Sequence, residues 1–286
     1  MVTYRSETSA VPAIVLNDGH VMPKLGFGVF KVEAGNTVDT VAAALQVGYR
    51  SIDTAAVYGN EAEVGRAIAD SGLPRDELFI TTKLWNRNQG YDSTLRAFDE
   101  SMKRLELDVL DLYLIHWPIA DSGLYVDTFR ALQALKAQGR VTSIGVSNFT
   151  RAHLERVIAE TGETPTVNQV ELHPYLAQHD LRAFHTEHGI ITEAWSPLGR
   201  GAELEDPVIL SIATDQVRTP AQVLLRWHMQ LGNVAIPKSV TPTRITENFE
   251  IFDFELTPDQ MSRITALDKG TRIGPDPDQF QVDVPA

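Results

Sequence analysis

Residues 49–85, YRSIDTAAVYGNEAEVGRAIADSGLPRDELFITTKLW, contain two short apolar runs, YRSID and LFITTK, each ending on a polar residue. Between them EAEVGRAIADSG repeats its apolar residues at helical spacing and closes on glycine, which accepts the left-handed conformation past a helix end. A strand, a helix and a strand in that order form a βαβ unit, whose strands are parallel.

The same alternation continues in both directions. Strands are predicted at KLGFG (24–28), YRSID (49–53), LFITTK (78–83), VLDLYLIHW (109–117), TSIGVS (142–147), TVNQVEL (166–172), IITEAWS (190–196) and NVAIPKS (233–239). Helices are predicted over 37–48, 61–72, 93–106, 125–139, 151–162, 180–189, 219–232 and 241–250. Thr219-Pro220-Ala221-Gln222 and Thr257-Pro258-Asp259-Gln260 read as Thr N-cap, Pro at the first helical position and Gln three residues on. The second of these opens an extra helix to about Leu267; beyond it, 268–286 reads as an irregular tail. AIVLNDGHVMP (13–23) reads as an opening hairpin turning at Asp18-Gly19. Eight βα units without a long linker or repeat point to one α/β domain over 1–286, a (β/α)8 TIM barrel; an open doubly wound sheet is the competing arrangement.

Length and composition agree with a globular chain: 286 residues, 43% hydrophobic and 22% charged. The net charge of −13 disfavours nucleic acid and anionic membranes as partners. With no cysteine, disulfides, thiolate catalysis and Cys-based zinc sites are excluded, and any redox work needs a cofactor. No apolar run is long enough to span a bilayer and MVTYRSETSA lacks the apolar core of a secretion signal, so a cytoplasmic protein is expected. His173, His179, His185 and His188 lie close in sequence, but no H-E-x-x-H pattern occurs and the last three fit a polar helix face. No catalytic metal is expected.

In a barrel the strand ends share one face, where side chains distant in sequence converge. Asp53 ends the second predicted strand, Lys83 the third and His116 the fourth, with Tyr58 in the loop after the second. Each alone has an ordinary explanation as a loop cap, packed aromatic, exposed amine or core histidine. Together they suit carbonyl reduction: the oxygen gains negative charge as hydride arrives and needs a donor and finally a proton. Tyr58 would give the proton, Lys83 stabilise the phenolate, Asp53 orient and balance the lysine, and His116 orient the carbonyl. Moving a tyrosine from about 10 to about 7 takes roughly 4 kcal/mol, at about 1.36 per unit. A buried cation can supply much of that, so a downward shift of Tyr58 is expected.

GYRSIDTAAVYGNEAEVG, DLYLIHWP, IGVSNF, VNQVELHP, EAWSPLGRG and IPKSVTPTRITENFEIFDFELT occur in order and span nearly the whole chain. With these motifs the sequence resembles the aldo-keto reductase family, in particular its bacterial 2,5-diketo-D-gluconate-reductase-like members. The resemblance implies an NADPH-dependent oxidoreductase reducing aldehydes or ketones, α-dicarbonyls and keto-sugars among them, with Asp53, Tyr58, Lys83 and His116 as its catalytic tetrad. GFGVF lacks the third glycine of a dinucleotide fingerprint and opens no helix, so the phosphate candidate is 238–244, at a helix start. The resemblance makes Lys238, Ser239, Val240 and Arg244 the adenosine-phosphate site, with Glu247 and Asn248 near adenine. The two cations favour NADPH/NADP+, with weaker use of NADH allowed by Glu247. It further implies Ser147, Asn148 and Gln169 at the nicotinamide carboxamide, and Trp195 where many relatives stack a tyrosine. Ser196, Leu198 and Gly199 would follow the pyrophosphate.

Trp85 and Trp117, next to Lys83 and His116, are expected at the pocket mouth, with Phe30, Asn86 and the tail adding to a substrate wall. A monomer acting on a small-molecule carbonyl is expected. Two other readings stay open: a nicotinamide-binding regulatory or interaction subunit with little turnover, and a lyase using Lys83 as a Schiff-base nucleophile.

Overall fold

The computed structural model describes residues 11–283. Strands β1 (Ala13–Val15) and β2 (Val21–Pro23) pair antiparallel, and Gly19 supplies the turn with φ +88°. Eight parallel strands follow: β3 (Phe27–Gly28), β4 (Ser51–Asp53), β5 (Phe79–Leu84), β6 (Leu110–Ile115), β7 (Val141–Ser147), β8 (Val167–Glu171), β9 (Ile191–Trp195) and β10 (Val234–Ala235). They lie side by side in chain order, and a parallel bridge from Leu25 to Ala235 joins the two ends into a barrel. All eight predicted strands are present.

Around the sheet run α1 (Ala34–Val47), α2 (Glu61–Asp70), α3 (Tyr91–Leu105), α4 (Tyr125–Ala137), α5 (Arg151–Thr161), α6 (His179–His188), α8 (Pro220–Gln230) and α9 (Pro242–Phe249). Their apolar faces pack on the strands, as Val41, Phe98, Phe129 and Leu225 do in the main core. Helix α10 (Pro258–Thr265) is the predicted extra one. Both Thr-Pro-x-Gln starts form reciprocal capping boxes: Gln222 and Gln260 donate backbone N–H to Thr219 and Thr257 hydroxyls at 3.3 and 3.2 Å. A helix absent from the sequence reading, α7 (Pro207–Gln216), precedes α8. Its signal was Asp206-Pro207, an N-cap followed by Pro at the first helical position, where Asp206 accepts from the Val208 N–H at 2.8 Å.

The barrel interior is layered along the strands. Side chains two apart share a face, so Val167, Gln169 and Glu171 of β8 and Ile191, Glu193 and Trp195 of β9 form two rising inward columns. Low in the barrel, Phe79, Leu112, Leu114, Val167 and Val234 pack against Leu16 and Met22 of the hairpin, which plugs the base. Gly145 leaves room there, because a Cβ would meet the Val167 carbonyl at 2.7 Å and the Leu114 side chain at 2.8 Å. One step up, the layer turns polar: Asp53, Lys83, Gln169 and Glu193 are all buried. Apolar residues close the base and polar ones accumulate toward the C-terminal rim.

From Leu267 to Asp283 no helix or strand forms, as expected for the tail, yet it is anchored. Glu171 accepts the backbone N–H groups of Ile273 and Gly274 at 2.6 and 2.8 Å, and Phe280 packs on Trp117 with ring centroids 4.2 Å apart. Gly274 fits because a Cβ would come within 2.4 Å of the Trp195 ring. Behind this latch His173 is fully buried between two carboxylates, Nε2 2.9 Å from Glu171 and Nδ1 2.5 Å from Glu203. Burial alone would lower its pKa, but hydrogen bonds to Glu171 and Glu203 outweigh it and raise the ring to about 9. The sign follows from linkage: a raised histidine contributes stability in full below its unfolded value of about 6.5 and loses it as pH rises through about 9. His173→Gln is therefore expected to lower the urea midpoint clearly at about pH 6 and far less at about pH 9.5, as followed by tryptophan fluorescence.

Helix α6 departs from the polar face expected of its histidines. His179 is exposed, but His185 is fully buried, 3.0 Å from Asn168 Nδ2 and 2.9 Å from Thr192 Oγ1, and burial lowers it to about 3. Among the described residues no group of three or more His, Cys, Asp or Glu is arranged to hold a metal, and no helix is long and apolar enough to cross a membrane.

Candidate active site

Asp53 is the last residue of β4, Lys83 the fifth of six in β5, and His116 directly follows β6. Parallel pairing across these neighbours puts their ends together at the rim. Tyr58 closes the short helical turn 56–58, held by Gly59 in the left-handed region (φ +67°) and by Asn60. Buried Asn60 accepts from Thr54 Oγ1 at 2.8 Å and donates to the Val29 and Val32 carbonyls at 3.1 and 3.3 Å. That side chain ties the Tyr58 turn to the segment after β3.

Lys83 Nζ donates to Asp53 Oδ1 at 2.6 Å and to the Thr54 carbonyl at 2.9 Å, and stands 3.5 Å from the Tyr58 hydroxyl. The His116 ring meets that of Tyr58 edge-on, with centroids 5.7 Å apart. The four predicted residues thus form one constellation at the end of three adjacent strands.

Burial dominates the electrostatics. It would lower Lys83, but Asp53 beside it reverses the direction, and the amine is held charged, above its usual value. Burial and the Lys83 charge push His116 well below 6.5, leaving a neutral imidazole whose buried Nδ1 has no partner among the described residues. For Tyr58 the structure corrects the expected downward shift. Burial raises the phenol, Lys83 lowers it, and Asp53 and Glu193 raise it again, so the net direction is up from 10. The lysine's attraction is shared with a carboxylate closer to it, and the hydroxyl stays protonated at neutral pH.

A second network begins beneath the tetrad. Gln169 Nε2 donates to Asp53 Oδ2 and to Glu193 Oε2, both at 2.8 Å. Ser147 Oγ donates to the Gln169 carbonyl at 2.8 Å and accepts from Asn148 Nδ2 at 3.1 Å. Asn148, left-handed at φ +63°, also donates to the His116 carbonyl at 2.9 Å and accepts from Trp195 Nε1 at 2.8 Å. That last bond fixes the pitch of the indole. Ser147, Asn148, Gln169 and Trp195 therefore belong to the same hydrogen-bonded unit as Asp53 and His116.

Ser196 (φ +48°) and Gly199 (φ +55°) make a tight turn with Leu198 between them, and Gly199 N–H donates to the Ser196 carbonyl at 2.9 Å. Glu203 packs where a Gly199 Cβ would be, 2.7 Å from its carboxyl carbon. After β10, Lys238, Val240 and Arg244 are exposed, and neither cation has an acidic partner within 4.0 Å among the described residues. Ser239 is buried, its hydroxyl accepting the Thr241 N–H at 3.1 Å ahead of α9, while Asn248 is buried and Glu247 half-buried in that helix. The Pro237 carbonyl accepts from Gly28 N–H at 3.1 Å and the Asp53 carbonyl from Val29 N–H at 3.1 Å, which brings the start of this segment beside the tetrad strand.

At the mouth, Phe30 is 46% exposed with its ring 5.0 Å from Tyr58, and Trp85 faces His116 at 5.2 Å. Asn86 departs from the expected wall position. It is fully buried, and its Nδ2 donates to the Val282 carbonyl at 2.9 Å, so it holds the tail. Trp85 Nε1 and Arg87 bind the Asp283 carboxylate at 2.7 and 2.8 Å. Sequence reasoning missed Glu193, Glu171, His173 and Glu203. Glu193 had a signal: a carboxylate in the middle of an apolar strand, on the same inward column as Trp195.

Residues 24–269 match the Aldo/keto reductase family. An aldo-keto reductase of Mycolicibacterium smegmatis is 58% identical over 94% of this chain and 98% of its own length. Methylglyoxal reductase DkgA of Salmonella typhimurium is 51% identical over 95% of this chain and 99% of its own. Among solved structures, a Gox0644 mutant in complex with NADPH superposes with a TM-score of 0.92 at 50% identity, covering 95% of this chain and 99% of that one.

Proposed function

The chain belongs to the aldo/keto reductase family, and from that premise we propose that it reduces small aldehydes and ketones, α-dicarbonyls among them, with NADPH and Tyr58 as proton donor. The observation that carries this reading is Lys83 Nζ, in reach of both the Asp53 carboxylate and the Tyr58 hydroxyl at the strand ends. The residues also fit the cofactor. Lys238 and Arg244 lack acidic partners among the described residues, Ser147, Asn148 and Gln169 form a polar shelf, and Trp195 offers a flat face.

When bound, the nicotinamide supplies the hydride; everything else falls to the protein. Neutral His116 offers a ring N–H to the carbonyl oxygen and leaves proton delivery to Tyr58. Tyr58, held as the phenol, passes its proton to that oxygen as charge develops there. Lys83 then faces the resulting phenolate, which it stabilises from a fully buried position. Asp53, anchored by Lys83 and Gln169, keeps the ammonium oriented and charged. The same ion pair argues against a Schiff-base role, because a protonated amine is no nucleophile.

The direct test is NADPH oxidation with 4-nitrobenzaldehyde, methylglyoxal and a keto-sugar, each repeated with NADH. Turnover of none of them rejects the reading. For cofactor choice, charge-assisted bonds are each worth about 1.5–3 kcal/mol. Joint replacement of Lys238 and Arg244 by alanine is therefore expected to raise KM for NADPH by roughly 100-fold or more while leaving that for NADH nearly unchanged.

A further inference from the structure

The tetrad accounts for Asp53, Lys83, Tyr58 and His116, but not for the second buried carboxyl beneath them. Glu193 lies in the middle of β9, 1% exposed, in register beside Gln169 of β8. Its Oε2 takes one N–H of the Gln169 amide, and Asp53 Oδ2 takes the same nitrogen's other bond, each at 2.8 Å. One amide thus joins two carboxyl groups. Because the Asp53 carboxylate can only accept, the amide's NH2 end faces inward, which leaves Oε1 as the outward end.

Glu193 occupies an inward position at which an apolar residue would satisfy the barrel's packing, as Ile191 does two residues earlier on the same column. Burying a carboxyl beside a carboxylate is costly unless the group acts on its surroundings. Those surroundings are the tetrad. Asp53 of β4, Lys83 of β5 and the Tyr58 phenol are the titratable groups that feel its charge, and on its other side β10 contributes Val234 and Ala235, followed by Ile236, none of which ionises.

We propose that Glu193 is a positioning residue for the general acid: through Gln169 it fixes Asp53, and by its own negative charge in alkaline solution it keeps Tyr58 in the phenol form that can give up a proton. The inference rests on the reductase reading above and extends it. Burial and the Asp53 charge raise Glu193 to about 8. Below that value the carboxyl is a neutral hydrogen-bonding partner. Above it, a second anion under Lys83 holds the ammonium charged and opposes loss of the Tyr58 proton, both by Coulomb's law. Reduction, which needs the phenol, then persists further into the alkaline range than the Asp53–Lys83 pair alone would allow.

Glu193→Gln keeps the size and an oxygen for Gln169 but can carry no charge. The alkaline limb of kcat/KM for NADPH-dependent reduction of 4-nitrobenzaldehyde is expected to move down by about half a pH unit or more. The second readout needs no cofactor: with ring-labelled tyrosine, the NMR signal assigned to Tyr58 by its loss in Tyr58→Phe should titrate at lower pH in Glu193→Gln than in the wild type. Coincident Tyr58 titrations in the two proteins overturn the proposal, whatever the turnover. If Glu193→Gln fails to fold, the wild type decides: its Glu193 carboxyl signal should titrate near about 8, and titration with ordinary glutamates near about 4.3 overturns the proposal. A wild type that reduces no carbonyl would reject the reductase reading, while the Tyr58 titration would still test the role of Glu193.

Discussion

Tyr58→Phe is expected to cut kcat for carbonyl reduction by about 100- to 10,000-fold, the usual range for removing a positioned general acid, with NADPH affinity unchanged. The substitution removes one oxygen and leaves the ring against Phe30 and His116, so the fold and the mouth of the site keep their packing. What is lost is the only hydroxyl within 3.5 Å of Lys83 Nζ among the described residues. Stopped-flow single turnover separates the loss from product release, and fluorescence titration with NADPH checks binding. A Tyr58→Phe variant turning over at the wild-type rate would remove Tyr58 from the acid role and leave neutral His116 as the next donor to examine. Because burial keeps Tyr58 above 10, the wild-type acid is present throughout the neutral range, and reduction should fall only in strongly alkaline solution. The downward shift expected from the sequence would have moved that fall toward neutrality.

The second large effect is on stability as well as rate. Lys83→Met leaves Asp53 buried with its lysine gone and only Gln169 to satisfy it. Removing one partner of a buried pair costs about 3–5 kcal/mol, so a marked drop in urea midpoint should accompany near-complete loss of turnover. The two effects can be separated. Replacing the pair together, Asp53→Asn with Lys83→Met, removes the stranded charge and should recover most of the stability, since neutral replacements of buried pairs are often tolerated. Turnover should stay lost, because no cation then faces the Tyr58 oxygen. A double variant as unstable as the single one would mean that the lysine's contribution is packing and its bond to the Thr54 carbonyl, with the ion pair secondary.

The strands and most helices were legible because their signals are local. Apolar runs of a few residues, a 3.6-residue repeat, and Thr-Pro-x-Gln starts are each decided within a short window, and the capping boxes at Thr219 and Thr257 formed as read. The tetrad was legible for a different reason: parallel strands share an end, so polar residues closing successive strands must meet. What escaped lay in the third dimension. Whether the Tyr58 phenol rises or falls depends on how Lys83 divides its attraction between Asp53 and the hydroxyl, and on Glu193 across the barrel. Asn86 and His185 could be assigned to an open face only while their neighbours, the tail at Val282 and the Asn168–Thr192 pair, were unplaced. Helix α7 was missed although Asp206-Pro207 announced it, because the eight-unit pattern left no slot between β9 and α8.

The Leu25–Ala235 bridge gives the sheet a further property. An open eight-stranded sheet would present two rows of unpaired N–H and C=O groups, each able to recruit a strand from another molecule. Here those rows satisfy one another: Gly26 donates to the Ala235 carbonyl, Ala235 to the Lys24 carbonyl and Gly28 to the Pro237 carbonyl, at 2.9 to 3.1 Å. Yet β3 and β10 are two residues each, so this seam has far fewer ladder bonds than the six- and seven-residue strands opposite it. The barrel is a ribbon fastened by a short clasp. Protection against strand-to-strand association is therefore concentrated in a few loop-borne bonds beside Asp53, and a lesion at that clasp would threaten solubility before it disturbed the core.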